Sequence, residues 1–257
     1  QLKSCQIYEV GKETRLRWTL LQPLDPTIRG KGSDYLFCKI SPTGARVVAC
    51  RDNHTITVWD NQIDGSVLHI LKGHQSLIRD AIFITDSLLA SCSIDGTVRF
   101  WDVVQGVGIS QIALDCAIIS LAWFTALDPS FGRLVCGGID GFLYVWEIPI
   151  HCTAAEGSRE YYSCVFETHF LGQFYTETTN GTICRMSSNG RTLVSYGTEG
   201  RVLVWDTIGM RDDYGTNIQQ QALEVMNETK VDEGYAYIAV PEESFLVADG
   251  GASALGE

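Results

Sequence analysis

The stretch Leu88-Leu89-Ala90-Ser91-Cys92-Ser93-Ile94-Asp95-Gly96-Thr97-Val98-Arg99-Phe100-Trp101-Asp102 reads as two short strands joined by a tight turn. Its first half is apolar or small, Asp95-Gly96 is a strong turn signal, and the second half is β-branched and aromatic. Upstream, Asp80-Ala81-Ile82-Phe83-Ile84 supplies another apolar run. The closing strand recurs as Thr55-Ile56-Thr57-Val58-Trp59-Asp60, Phe142-Leu143-Tyr144-Val145-Trp146-Glu147 and Arg201-Val202-Leu203-Val204-Trp205-Asp206, each ending in a tryptophan and an acid. Trp59 and Trp101 are 42 residues apart, Trp101 and Trp146 are 45 apart, and Trp146 and Trp205 are 59 apart. Cys5-Gln6-Ile7-Tyr8-Glu9-Val10 is a weaker copy one period earlier. Short strands at even spacing with turn residues between them predict an all-β repeat rather than βαβ units.

These repeats resemble those of the WD-repeat (WD40) β-propeller family. Gly73-His74 followed by Trp101-Asp102 matches the family's GH…WD signature. Trp59, Asp60, Trp146, Glu147, Trp205 and Asp206 hold the signature positions of the other repeats. The resemblance extends over essentially the whole chain and implies a propeller of four-stranded antiparallel blades. It also implies a hydrogen-bonded tetrad of His74, Ser91, Asp95 and Trp101 that fixes the loops of its blade. The other repeats depart from that tetrad. Ala49 and Asn53 accompany Trp59, Cys136 and Asp140 accompany Trp146, and Ser195 and Glu199 accompany Trp205. None has a clear Gly-His, so most blades are expected to rest on packing.

Blade boundaries are expected near 1–21, 35–71, 77–113, 118–172, 182–225 and 234–257, with an insertion at 150–169. That makes four complete blades and a partial blade at each end. Seven blades would need about 300 residues, so the 257 residues are expected to be a fragment of a seven-bladed ring. The alternative is a closed five-bladed ring in which the terminal half-blades join.

The composition, 45% hydrophobic and 19% charged, supports a core and excludes intrinsic disorder. A net charge of −12 argues against a general nucleic-acid binder, which needs clustered cations. No apolar run reaches the ~18–20 residues of a membrane span, so no membrane insertion is expected. Residues 212–257 hold ten acids and one base, Lys230. They read as a solvated face, or as a surface for a basic partner segment. The nine cysteines include no CxxC pair, which suggests a reducing, intracellular setting.

No nucleotide-binding loop, HExxH or GxSxG occurs, so no enzyme and no cofactor are expected. His151, Cys152, Cys164 and His169 gather in the insertion, but their spacing does not suit a closed zinc site, and no metal is expected. A propeller without catalytic groups implies a platform. In the family, the residue before the turn acid often lies on the top face. Carried over, this gives Asp52, Ile94, Ile139 and Thr198, with His54 and Arg51 beside the first. The two isoleucines suit a peptide with an apolar anchor, or else they pack across the channel mouth. Tyr161 and Tyr162 in the insertion mark a second candidate surface.

The expected function is a non-catalytic protein–protein interaction scaffold, holding a peptide segment or partner subunit within a multiprotein complex. A substrate-receptor subunit of a ubiquitin ligase is the alternative. Such receptors often carry an arginine two residues after the WD pair, where this chain has Gln62, Val104, Pro149 and Ile208. A phosphoinositide-binding propeller would need a paired-arginine FRRG-type motif, which is absent.

Overall fold

The computed structural model describes residues 4–9, 15–21, 34–63, 65–125, 130–149, 168–176, 181–186, 192–197 and 202–206. Every regular element among them is a strand. β1 (Ser4–Glu9) and β2 (Arg15–Leu21) form an antiparallel pair. β3 (Tyr35–Ile40), β4 (Arg46–Arg51), β5 (Thr55–Asp60) and β6 (Val67–Lys72) form a four-stranded antiparallel meander. β7 (Ile78–Phe83), β8 (Leu88–Ser93), β9 (Thr97–Asp102) and β10 (Val107–Ala113) form a second. β11 (Ile118–Thr125), β12 (Phe131–Gly138), β13 (Phe142–Pro149) and β14 (His169–Tyr175) form a third. β15 (Ile183–Met186), β16 (Thr192–Tyr196) and β17 (Val202–Asp206) make a three-stranded sheet. These sheets are the blades of a WD40-type β-propeller. His169, read from the sequence as part of the insertion, instead opens β14, because its backbone pairs with Glu147 across the ladder.

Burial shows which way each blade faces. All six residues of β8 are buried, whereas the last strands β6, β10 and β14 are largely exposed. A middle strand that packs a neighbouring sheet on each face cannot alternate polar with apolar, hence the continuous run Leu88-Leu89-Ala90-Ser91-Cys92-Ser93. The first strands pack side by side, β3 against β7, β7 against β11 and β11 against β15. Separate apolar cores fill the wedges between sheets. Val48, Cys50, Ile56 and Val58 meet Ala81, Leu89 and Trp101 in one. Cys92, Val98 and Phe100 meet Leu121, Leu134 and Cys136 in the next. Val135, Leu143 and Val145 meet Cys184, Leu193 and Trp205 in the third.

The acids after Trp59, Trp101 and Trp146 each have a local task. Asp60 accepts backbone N–H bonds from Gln62 and Ile63 at 2.6 and 2.8 Å, and Asp102 does the same for Val104 and Gln105 at 2.7 and 2.8 Å. Each carboxylate thereby caps the turn that carries the chain to the outer strand. Glu147 has no such turn to cap and pairs with Arg133 on the adjacent strand.

Polar stitches fasten the wedges. Thr43 donates from its N–H and its hydroxyl to Asp86 Oδ1 at 3.1 and 2.7 Å, joining the first two meanders. Ser120 Oγ donates to Thr182 O at 3.0 Å and accepts the Cys184 N–H at 2.9 Å, joining the third meander to β15.

Candidate functional site

Three turns, after β4, β8 and β12, repeat one construction. The N–H groups of Asp52, Ile94 and Ile139 donate to the carbonyls of Asp34, Leu77 and Ala117, at 3.0, 3.0 and 2.9 Å. Each carbonyl belongs to the residue just before the first strand of the same sheet, so the backbone at these positions is held while the side chain is left outside. Ile94 is 45% exposed, Ile139 49% exposed, and Asp52 is also exposed. Two residues beyond each of them the chain enters the left-handed region, with φ of 66° at His54, 79° at Gly96 and 87° at Gly141. Two of these turns use glycine for that conformation, and the first uses histidine. His54 Nδ1 is buried with no hydrogen-bond partner among the described residues. Thr198, the fourth position, lies outside the described residues, as do Tyr161, Tyr162 and residues 212–257. Arg51 is turned inward, buried at 2% exposure with its guanidinium 6.0 Å from the Tyr35 ring centroid.

Beneath the Ile94 turn, His74, Ser91, Asp95 and Trp101 meet in a chain of hydrogen bonds. The Trp101 indole N–H donates to Ser91 Oγ at 2.8 Å, and Ser91 Oγ lies 2.8 Å from His74 Nε2. His74 Nδ1 lies 3.0 Å from Asp95 Oδ2. Ser91 accepts from the indole, so its own proton goes to Nε2, and the imidazole is neutral with its proton on Nδ1, directed at Asp95. Every donor and acceptor in the chain is then used. Burial lowers the His74 pKa and outweighs the opposing pull of Asp95. Partial burial raises Asp95, but hydrogen bonds from Thr97, the Gln75 N–H and His74 override it and hold the carboxyl at about 2. The array is a loop brace with no nucleophile or open ligand position, since its groups are saturated by one another.

The other blades keep parts of this brace. Trp205 Nε1 donates to Ser195 Oγ at 2.8 Å. In the third meander the Tyr144 hydroxyl donates to Asp140, the position that corresponds to Asp95, and so does the work of the missing histidine. Asn53, at the same position in the first meander, accepts the Thr55 hydroxyl at 2.7 Å. A tyrosine two residues before the signature tryptophan was a readable sign of this substitution, but its meaning depends on the cross-turn geometry.

No group of three or more histidine, cysteine or acidic side chains is arranged to hold a metal among the described residues. His169 sits exposed on β14, and His151, Cys152 and Cys164 lie outside the described residues. Cys50, Cys92, Cys136 and Cys184 are buried thiols. Burial pushes Cys184 up to about 11, against its hydrogen bond with Ser120, so it stays protonated. Among the described residues no helix is long and apolar enough to cross a membrane.

A further group gathers where the first strands meet. Asp80 on β7 is 3% exposed. Its Oδ1 pairs with Lys39 Nζ of β3 at 3.0 Å, and its Oδ2 with Arg185 Nη1 of β15 at 3.0 Å. Oδ2 also accepts the Leu121 N–H of β11 at 3.2 Å. Nothing in the spacing of three residues so far apart in sequence signals this meeting.

The family model for the WD domain, G-beta repeat, matches residues 26–60 and 65–102. The nuclear distribution protein nudF of Aspergillus niger is 33% identical over 106 residues, 40% of this chain and 23% of that protein. The rat apoptotic protease-activating factor 1 is 29% identical over 137 residues, 50% of this chain and 10% of the relative. The WD repeat-containing protein GTS1 of Arabidopsis thaliana is 25% identical over 171 residues, 62% of this chain and 42% of the relative. The chain therefore spans less than half the length of each of these relatives. WD repeats of this kind generally serve as protein-interaction scaffolds, and the matched repeats, the propeller blades and the tryptophan–acid turns agree in identifying residues 26–102 as WD repeats.

Proposed function

We propose that this protein is a non-catalytic, intracellular scaffold that binds a peptide segment of a partner protein on the face formed by the turns after β4, β8 and β12. The observation that carries the reading is the pairing of Ile94 and Ile139, large apolar side chains 45% and 49% exposed on backbone that is hydrogen-bonded in place. Presenting an apolar anchor point from a rigid frame limits the ordering cost of association. Asp52, exposed at the equivalent position, adds a carboxylate that would favour a basic neighbour to the anchor residue. Thr198 completes the set by sequence position.

The test is a comparison of two proteins as bait in extract from the source cell, the chain as it stands and the Ile94→Asp/Ile139→Asp variant. Since both side chains are exposed, the variant should keep its melting temperature. Partners bound by the parent should fall at least tenfold, because an apolar anchor is replaced by a desolvated carboxylate. Equal partner lists from two equally stable proteins would overturn the reading. Ubiquitin-ligase subunits among the partners lost would favour a substrate-receptor role within it.

A further inference from the structure

We infer that the first strands of the propeller form an oxyanion site, in which Lys39 and Arg185 bind one phosphate or carboxylate group. This goes beyond the turn face of the proposed function and rests on different residues.

Charge is distributed against the character of the whole chain. The protein carries a net −12, yet β3, β7, β11 and β15 together contain Lys39, Arg79 and Arg185 with Asp80 as their single acid. A net positive wall in a protein of net negative charge concentrates field where the cations lie. Asp80 cannot neutralise both of its partners. Its Oδ1 is taken by Lys39 and the Ala81 N–H, and its Oδ2 by Arg185 and the Leu121 N–H. The carboxylate is thus saturated, with one negative charge set between two positive ones.

The cations have donors to spare. Lys39 Nζ makes its ion pair to Asp80 and leaves two N–H groups for a ligand. Arg185 spends Nη1 on Asp80 and on the Cys184 carbonyl, at 3.0 and 2.8 Å, and keeps Nε and Nη2. The side chains are 36% and 55% exposed, while that of Asp80 is 5% exposed. The buried acid therefore holds two accessible cations about one carboxylate apart, on strands from different sheets. Lys39 and Arg185 also face Val48 and Val194 across their own ladders, so they stand at equivalent heights on β3 and β15. A group with two or three anionic oxygens satisfies both heads and offsets the excess charge, through charge-assisted bonds stronger than neutral ones.

The experiment is a titration of the chain with inorganic phosphate, pyrophosphate and succinate, each at constant ionic strength against chloride, followed by calorimetry and by the rise in melting temperature. Saturable binding of one or more of the three is expected, and their relative affinities tell phosphate recognition from carboxylate recognition. Lys39→Gln and Arg185→Gln should each weaken binding about tenfold or more. Lys39→Arg should retain it and guards against a variant that fails to fold. Arg79→Gln, which leaves the Asp80 pairs in place, should change affinity little. Non-saturable binding in the parent, or an affinity unchanged in folded Lys39→Gln and Arg185→Gln, would overturn the inference, whatever the Ile94→Asp/Ile139→Asp comparison shows.

Discussion

His74 shows how much one residue's protonation can matter to a blade. Burial keeps its pKa below the ordinary 6.5, so the unfolded chain takes up a proton at this position before the folded one does. The stability it contributes is complete above about pH 6.5 and drains as pH falls below that value. Asp95, held at about 2 against an ordinary 3.8, gives stability that is present above 3.8 and lost as pH falls towards 2. Both groups push the same way but in different windows: the melting temperature should drop as pH falls below 6.5 on account of His74, and again below 3.8 on account of Asp95. A His74→Gln variant should lose about 1–3 kcal/mol at pH 7, since its partners are left in a buried site, and should show a shallower pH slope. Parallel slopes from urea unfolding at several pH values would refute this. His54 invites the opposite change. With φ at 66° and a buried, unpartnered Nδ1, His54→Gly should stabilise the chain by about 0.5–1 kcal/mol, read as a higher urea midpoint at unchanged slope. The tetrad partners were legible through the family resemblance, which assigns His74, Ser91, Asp95 and Trp101 by position. The strain at His54 was not, because only comparison with Gly96 and Gly141 in the folded turn exposes it.

Strands and blades follow from period and turn chemistry, so most elements could be read in advance. β8 and β9 are visible in a few residues because both faces of a middle strand are buried and the turn between them is Asp-Gly. Outer strands were harder to read, since β6, β10 and β14 face solvent and carry little pattern. The packing between blades was the least legible. At Gly137, on β12, an added methyl would run into the Thr182 carbonyl and Ser120 Oγ, the atoms that stitch the third meander to β15. The obstacle is largely backbone, which cannot swing away. Gly137→Ala should therefore destabilise by about 1–3 kcal/mol in chemical denaturation, whereas a change within 0.3 kcal/mol would mean the seam can open freely.

Among the described residues, one carboxylate joins the first strands of the four larger sheets. Asp80 belongs to β7 and touches β3, β11 and β15, hence all four of the larger sheets. Asp80→Asn removes its charge but not its shape, leaving Lys39 and Arg185 to repel each other. The loss should be about 2 kcal/mol, below the penalty for a fully buried pair because both cations keep solvent, and raising salt should recover part of it. Salt-independent destabilisation would show that the charges do not matter there. Neither the bridge nor its reach was visible in the sequence, as an aspartate beside an arginine on a strand has no unusual neighbours.

That reach also bears on how the chain opens. Stacked repeats ordinarily fray from their ends, each unit exchanging its amide protons with its own free energy. The Asp80–Arg185 bond spans 105 residues, so β15 cannot detach without disturbing β7, two sheets away. Protection against hydrogen exchange should accordingly be similar along β3, β7, β11 and β15, and Asp80→Asn should split it into a graded series. The four larger sheets would then open as one cooperative unit because their shared fastening lies on the first strand of each.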